Sequence, residues 1–88
     1  MTDQPSLIEY PCNFPIKIMG KSQEGFIDTV VAIVKLHSPD FDDTSVEVKT
    51  SKAGSYLSVT CTVWATSRVQ LDAIYQALCD NAMVSVVL

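Results

Sequence analysis

The stretch from Tyr56 to Ala65 constrains this chain most. Leu57, Val59, Cys61 and Val63 take one set of alternate positions, and Tyr56, Ser58, Thr60, Thr62 and Trp64 take the other. Such unbroken period-2 alternation fits a β-strand with one dry and one wet face, and its β-branched content suits a central position. A central strand needs a neighbour on each side, and its apolar face needs a cover. The remaining residues have to supply both.

Upstream, Phe14, Ile16 and Ile18 alternate with Pro15, Lys17 and Met19 until Gly20, which predicts a first strand. Ser22 is placed to cap a helix and Glu24 to sit in its first turn, where the macrodipole favours an anion. Phe26, Ile27, Val30, Val31 and Val34 then recur at helical spacing up to about His37, with Asp28, Thr29 and Lys35 off the stripe. Pro39 ends helical propagation, and Pro39 to Asp43 read as an acidic loop. Val46 and Val48 alternate with Glu47 and Lys49 in a second strand, joined to Tyr56 by turn residues Ser51 to Ser55 as a hairpin. Ser67 and Gln70 have capping-box spacing, and Leu71, Ile74, Tyr75 and Leu78 form the stripe of a second helix closed by Asp80 and Asn81. Met83 to Leu88 predict a last strand, with Val84, Val86 and Leu88 on one face.

The order is β-α-β-β-α-β, the motif of two interlocked split βαβ units. Right-handed crossovers put both helices on one face of a four-stranded antiparallel sheet with the first and third strands central, an α+β, ferredoxin-like sandwich. Residues 1–12 read as an extended lead-in, with Leu7, Ile8 and Tyr10 available to dock on the domain edge, and 13–88 as the domain. The opposite sheet face is left uncovered and is expected to carry Lys17, Met19, Glu47, Lys49, Tyr56, Ser58, Thr60, Thr62, Trp64, Ser85 and Val87.

At 88 residues there is room for one domain, and 48% hydrophobic against 18% charged residues is the balance of a globular core. Ten acids against six bases give a net charge of -4, a long-range field that repels phosphate backbones and anionic headgroups. Nucleic acid and membrane are therefore not expected as partners. The first residues lack a basic and apolar leader pattern, so the expected location is the cytoplasm.

Three cysteines, Cys12, Cys61 and Cys79, are too far apart for a zinc knuckle and odd in number for a disulfide framework. They read as reduced, packing thiols. The single His37 sits where a helix C-terminus welcomes an imidazolium, and one histidine builds neither a triad nor a metal cluster. Asp40, Asp42 and Asp43 lack the spacing and glycine of a calcium loop. Met19-Gly20-Lys21-Ser22 carries neither the arginine of an acylphosphatase loop nor the cysteine pair of a copper chaperone. Ser58, Thr60 and Thr62 stand where an RNA-recognition motif would show aromatics. No catalytic residue, metal or cofactor is expected, and the chain reads as a non-enzyme.

Leu7-Ile8-Glu9-Tyr10-Pro11, Phe14-Pro15, Lys17-Ile18-Met19-Gly20, Lys49 through Ser51, Gly54, Tyr56, Ser58-Val59 and the final Val87-Leu88 together resemble the YbeD-like family of small bacterial proteins of unknown function. The resemblance spans nearly the whole chain. It departs at Lys52-Ala53-Gly54, which stands in for a more compact serine, lysine and glycine pattern. It implies a ferredoxin-like fold similar to regulatory domains of the ACT type, a cytosolic bacterial protein and no catalytic residues.

Two functional readings follow. One is an interaction or regulatory module that binds another protein, or itself as a homodimer, through the open face, with Lys17, Met19, Lys49, Tyr56, Ser58, Thr60, Thr62 and Trp64 as contact candidates. The other is an ACT-like sensor of a small molecule such as an amino acid, acting as a dimer, with Gly20, Lys21, Ser22 and Gly25 lining its ligand.

Overall fold

A computed structural model describes residues 9–88. The expected docking of Leu7 and Ile8 lies outside the described residues, whereas Tyr10 packs partly buried against the core. Strands β1 (Cys12–Lys21), β2 (Glu47–Thr50), β3 (Tyr56–Ala65) and β4 (Val84–Val87) and helices α1 (Phe26–His37) and α2 (Arg68–Cys79) follow one another in the anticipated order. The sheet runs β2-β3-β1-β4, with every neighbouring pair antiparallel. This is the ferredoxin-like sandwich.

The core lies between sheet and helices: Ile16 and Ile18 from β1, Val59, Cys61 and Val63 from β3, Phe26, Val30 and Val34 from α1, and Ile74 and Leu78 from α2 are fully buried. Each arrives there by its period, two along the strands and three to four along the helices. β1 and β3 pair over their whole length, from Cys12 opposite Ala65 to Lys21 opposite Tyr56. Pro15 is tolerated in a central strand because β4 begins to pair only at Lys17, so the missing N–H faces no third strand.

Several local expectations are corrected. Ser22 is not the cap of α1: its N–H donates to Ser55 O at 2.8 Å, prolonging the β1–β3 ladder, so the chain stays extended there. The cap is Gly25, which enters the helix from a left-handed conformation (φ 85°) that a side chain would oppose, and Asp28, not Glu24, is the acid in the first turn. β2 is an edge strand exposed on both faces, beyond the reach of the helices, so Val48 is 42% exposed while Val46 packs on the core from just outside the strand. In the acidic loop Asp40, Asp42 and Asp43 are exposed, but Phe41 among them buries its ring in the core (6% exposed) beside the buried Ser38, a core residue the helical and strand periods did not predict. α2 starts as expected, with Gln70 N–H donating to Ser67 Oγ at 3.1 Å. Gln70 Oε1 accepts from Thr66 N–H instead of completing a reciprocal box with Ser67.

The last correction concerns β4. Met19 pairs with Val86 but Gly20 pairs with Val84, so Ser85 is the extra residue of a bulge. Val87 thereby turns to the helix side opposite Ile18, and Val86 takes the place on the open face expected of Val87.

Candidate functional site

The open face is ordered by register. Across the sheet, Lys49 stands opposite Ser58, Ser58 opposite Met19, and Met19 opposite Val86, which puts these four in one row. Lys21 and Tyr56 form the next row, and Glu47, Thr60 and Lys17 the row on the other side. Farther along β1 and β3 come Pro15 with Thr62 and Asn13 with Trp64.

At the four-stranded end these rows enclose an open trough of about 360 Å³. Its floor and walls are Met19, Tyr56, Leu57 and Val86, and its rim is Lys49, Thr50, Ser51, Ser58 and Ser85. Two features build it. The bulge aims Val86 at Met19, and the hairpin holds Tyr56 at the edge through its N–H to Ser51 Oγ (3.1 Å) and its carbonyl from Ser51 N–H (2.9 Å). Gly54, at φ 78°, allows that turn. Of the anticipated contact residues, Met19, Lys49, Tyr56 and Ser58 meet at the trough, and Lys17 and Thr60 sit in the adjoining row. Thr62 and Trp64 do not join them: Trp64 is eight residues from Tyr56 along β3, roughly 26 Å at the usual rise per residue. Val86 was missed. Its signal was present in Val86-Val87-Leu88, an apolar run that breaks alternation.

Gly20, Lys21, Ser22 and Gly25 line neither this trough nor a second cavity on the helix side. Gly20 is buried, and a side chain there would meet Met83 O and, at 2.5 Å, Phe26 Cε1. The second cavity, about 410 Å³, lies between α1 and the loop before β2, where Lys35 Nζ and Asp43 Oδ2 pair at 3.2 Å across Ile27, Val31 and Val46. Among the described residues no three His, Cys, Asp or Glu side chains are grouped to hold a metal ion, and no helix is long and apolar enough to cross a membrane.

The cysteines differ in their surroundings. Cys61 is fully buried, and the loss of water around its thiol pushes the pKa from 9.0 up to about 11. An unfolded thiol ionises from about 9 upward while the folded one holds its proton, so stability is undiminished at neutral pH and falls as the pH rises from about 9 to about 11. A thiol-reactive dye at neutral pH is expected to label the exposed Cys79 in the folded protein and Cys61 only after denaturant is added. Rapid native labelling of Cys61, mapped by peptide mass, would contradict its burial.

Comparison with known proteins bears on the same residues. A family model described as "Protein of unknown function (DUF493)" matches residues 5–88, which includes every described strand and helix. This chain belongs to the DUF493 family. Within it, the UPF0250 protein of Nitrosomonas europaea is 64% identical over 100% of both chains, and that of Bordetella pertussis is 53% identical over 97% of this chain and 93% of its own. The YbeD-like resemblance of the sequence is thus confirmed. The solution structure of protein HP0495 from H. pylori covers 100% of this chain and 98% of its own with a TM-score of 0.74 at 18% identity, a likeness of fold. The DUF493 relatives are named as uncharacterised proteins, so their names assign the trough neither an activity nor a ligand.

Proposed function

We propose that this DUF493 chain is a non-enzymatic, protein-binding module that works by docking a partner segment on the four-stranded end of its open sheet face. The observation that carries this reading is the clustering of apolar side chains there. Tyr56 and Val86 are 48% and 45% exposed, and they flank Met19 on a part of the face whose other residues are Lys21, Lys49, Ser58 and Ser85. Aromatics and methionine gathered on an exposed surface supply what interface cores are made of. An antiparallel sheet with one merely wet face would place such residues singly.

The footprint indicates the size of the partner. Four strands at about 4.8 Å spacing and four paired residues at about 3.3 Å each enclose a projected area of roughly 250 Å². That is far below the ~800 Å² per side of a stable interface. It suits a short segment held reversibly better than an obligate second subunit.

Tagged protein retrieved from a bacterial lysate is expected to bring down a partner that Tyr56→Ala releases and Trp64→Ala retains, since only Tyr56 lines the trough. A partner kept by both variants would place binding elsewhere and leave the face as solvated sheet.

A further inference from the structure

The charges of this chain are segregated by the fold. Overall it is acidic, at -4, yet among the described residues Glu47, in the row of Lys17, is the one carboxylate carried by a strand. The strands hold Lys17, Lys21 and Lys49, and the register places all three on the open face; Lys52 follows in the hairpin beside it. The other described acids lie on the helices or in loops, with Asp28 on α1, Asp40, Asp42 and Asp43 after it, and Asp72 on α2. Among the described residues the ion pairs are Lys35–Asp43 and Arg68–Asp72, so the four lysines of this side have no carboxylate within 4 Å. An exposed cation without a partner keeps its field for a ligand.

The lysines are also spaced. Lys17, Met19 and Lys21 are alternate residues of β1, all projecting from the open face, at steps of about 6.6 Å. An extended peptide has the same two-residue step. From this match, and resting on the proposed role of the open face in protein binding, we propose that the partner is an extended acidic segment of the pattern acid-x-apolar-x-acid. Its apolar side chain enters the trough between Met19, Tyr56 and Val86, and its carboxylates meet Lys17 and Lys21, with Lys49 closing the rim. A second copy of the chain set face to face would oppose lysines to lysines. A nucleic acid strand would bring charge far beyond the footprint, where the acidic remainder of the molecule repels it.

The test is an amide-resolved NMR titration of the whole protein with an acetylated and amidated pentapeptide, Glu-Ser-Leu-Ser-Glu, beside Lys-Ser-Leu-Ser-Lys, Glu-Ser-Ser-Ser-Glu and a short oligothymidylate. The expected result is shifts confined to Lys17, Met19, Lys21, Lys49, Tyr56, Ser58 and Val86 with the first peptide. That binding should weaken about fivefold in the double variant Lys17→Glu, Lys21→Glu, as two exposed ion pairs allow, and again on raising the salt from about 50 to about 500 mM. Both lysines are exposed, and an unchanged amide spectrum of the unbound variant, together with Lys17→Gln, Lys21→Gln, separates charge from folding. Equal binding of the basic or the all-serine peptide on this face would overturn the acidic or apolar element of the pattern and leave the face as the binding surface. Tighter binding of the oligothymidylate there, or peptide shifts on α1 and α2 instead, would overturn the pattern and the protein-binding face together. No shift with any probe would overturn the pattern, while the Tyr56→Ala retrieval decides the face by itself.

Discussion

Gly20→Ala is expected to lower stability by about 3 kcal/mol or more, an unusually large effect for one added methyl. Gly20 is the buried residue of β1 where three elements converge. A Cβ at this position would lie at 2.5 Å from Phe26 Cε1 and on Met83 O. Swinging the ring aside relieves only one of these contacts: the Met83 carbonyl belongs to the backbone that leads into β4, and it moves only if β4 moves. The same displacement would draw Val86 away from Met19 and open the trough, so loss of stability and loss of the proposed docking surface are coupled. Urea denaturation of Gly20→Ala, alone and with Phe26→Leu, checks this. Trimming the ring is expected to restore little, because the carbonyl contact remains; full rescue by Phe26→Leu would show that only the side chain was in the way.

Phe26→Ala is expected to cost about 3 to 5 kcal/mol. The ring is fully buried, at the first residue of α1, where it fills the angle between β1 and the helix. A chain of 88 residues has a total stability of roughly 4 to 13 kcal/mol at typical values per residue, so this loss leaves a sizeable unfolded population. Phe26→Leu, which retains most of the volume, should lose only about 1 kcal/mol. Midpoints in urea at constant m-value decide it, and a Phe26→Ala midpoint close to that of the parent would mean that neighbouring side chains collapse into the space.

The two substitutions share a cause that the sequence shows only in part. Phe26 was legible as a core residue because it opens a helical stripe that continues through Val30 and Val34. Gly20 was legible as the end of an alternating run, but not as a point of contact with Met83, which lies far off in the chain. Ser22 shows the same division. Its side chain suits a cap, but the ladder to Ser55 competes for its backbone and wins, because strand pairing extends past the glycine.

Local period and turn chemistry by themselves determined the order of elements, the central place of β3, the hairpin and the inner faces of β1 and β3, since each is set by residues within a few positions of one another. The family resemblance rested on the same local motifs. Tertiary structure alone decided the rest, because register and reach are properties of partners distant in sequence. It set the bulge that exchanges Val87 for Val86 on the open face, the solvent exposure of Val48 on an edge strand the helices do not cover, and the descent of Phe41 into the core. It also ran β1 one residue past Gly20, which set Lys21 beside the Lys17 and Lys49 that alternation had already assigned to the open face of an acidic chain, because the sum of charges is fixed by composition and their separation only by the fold.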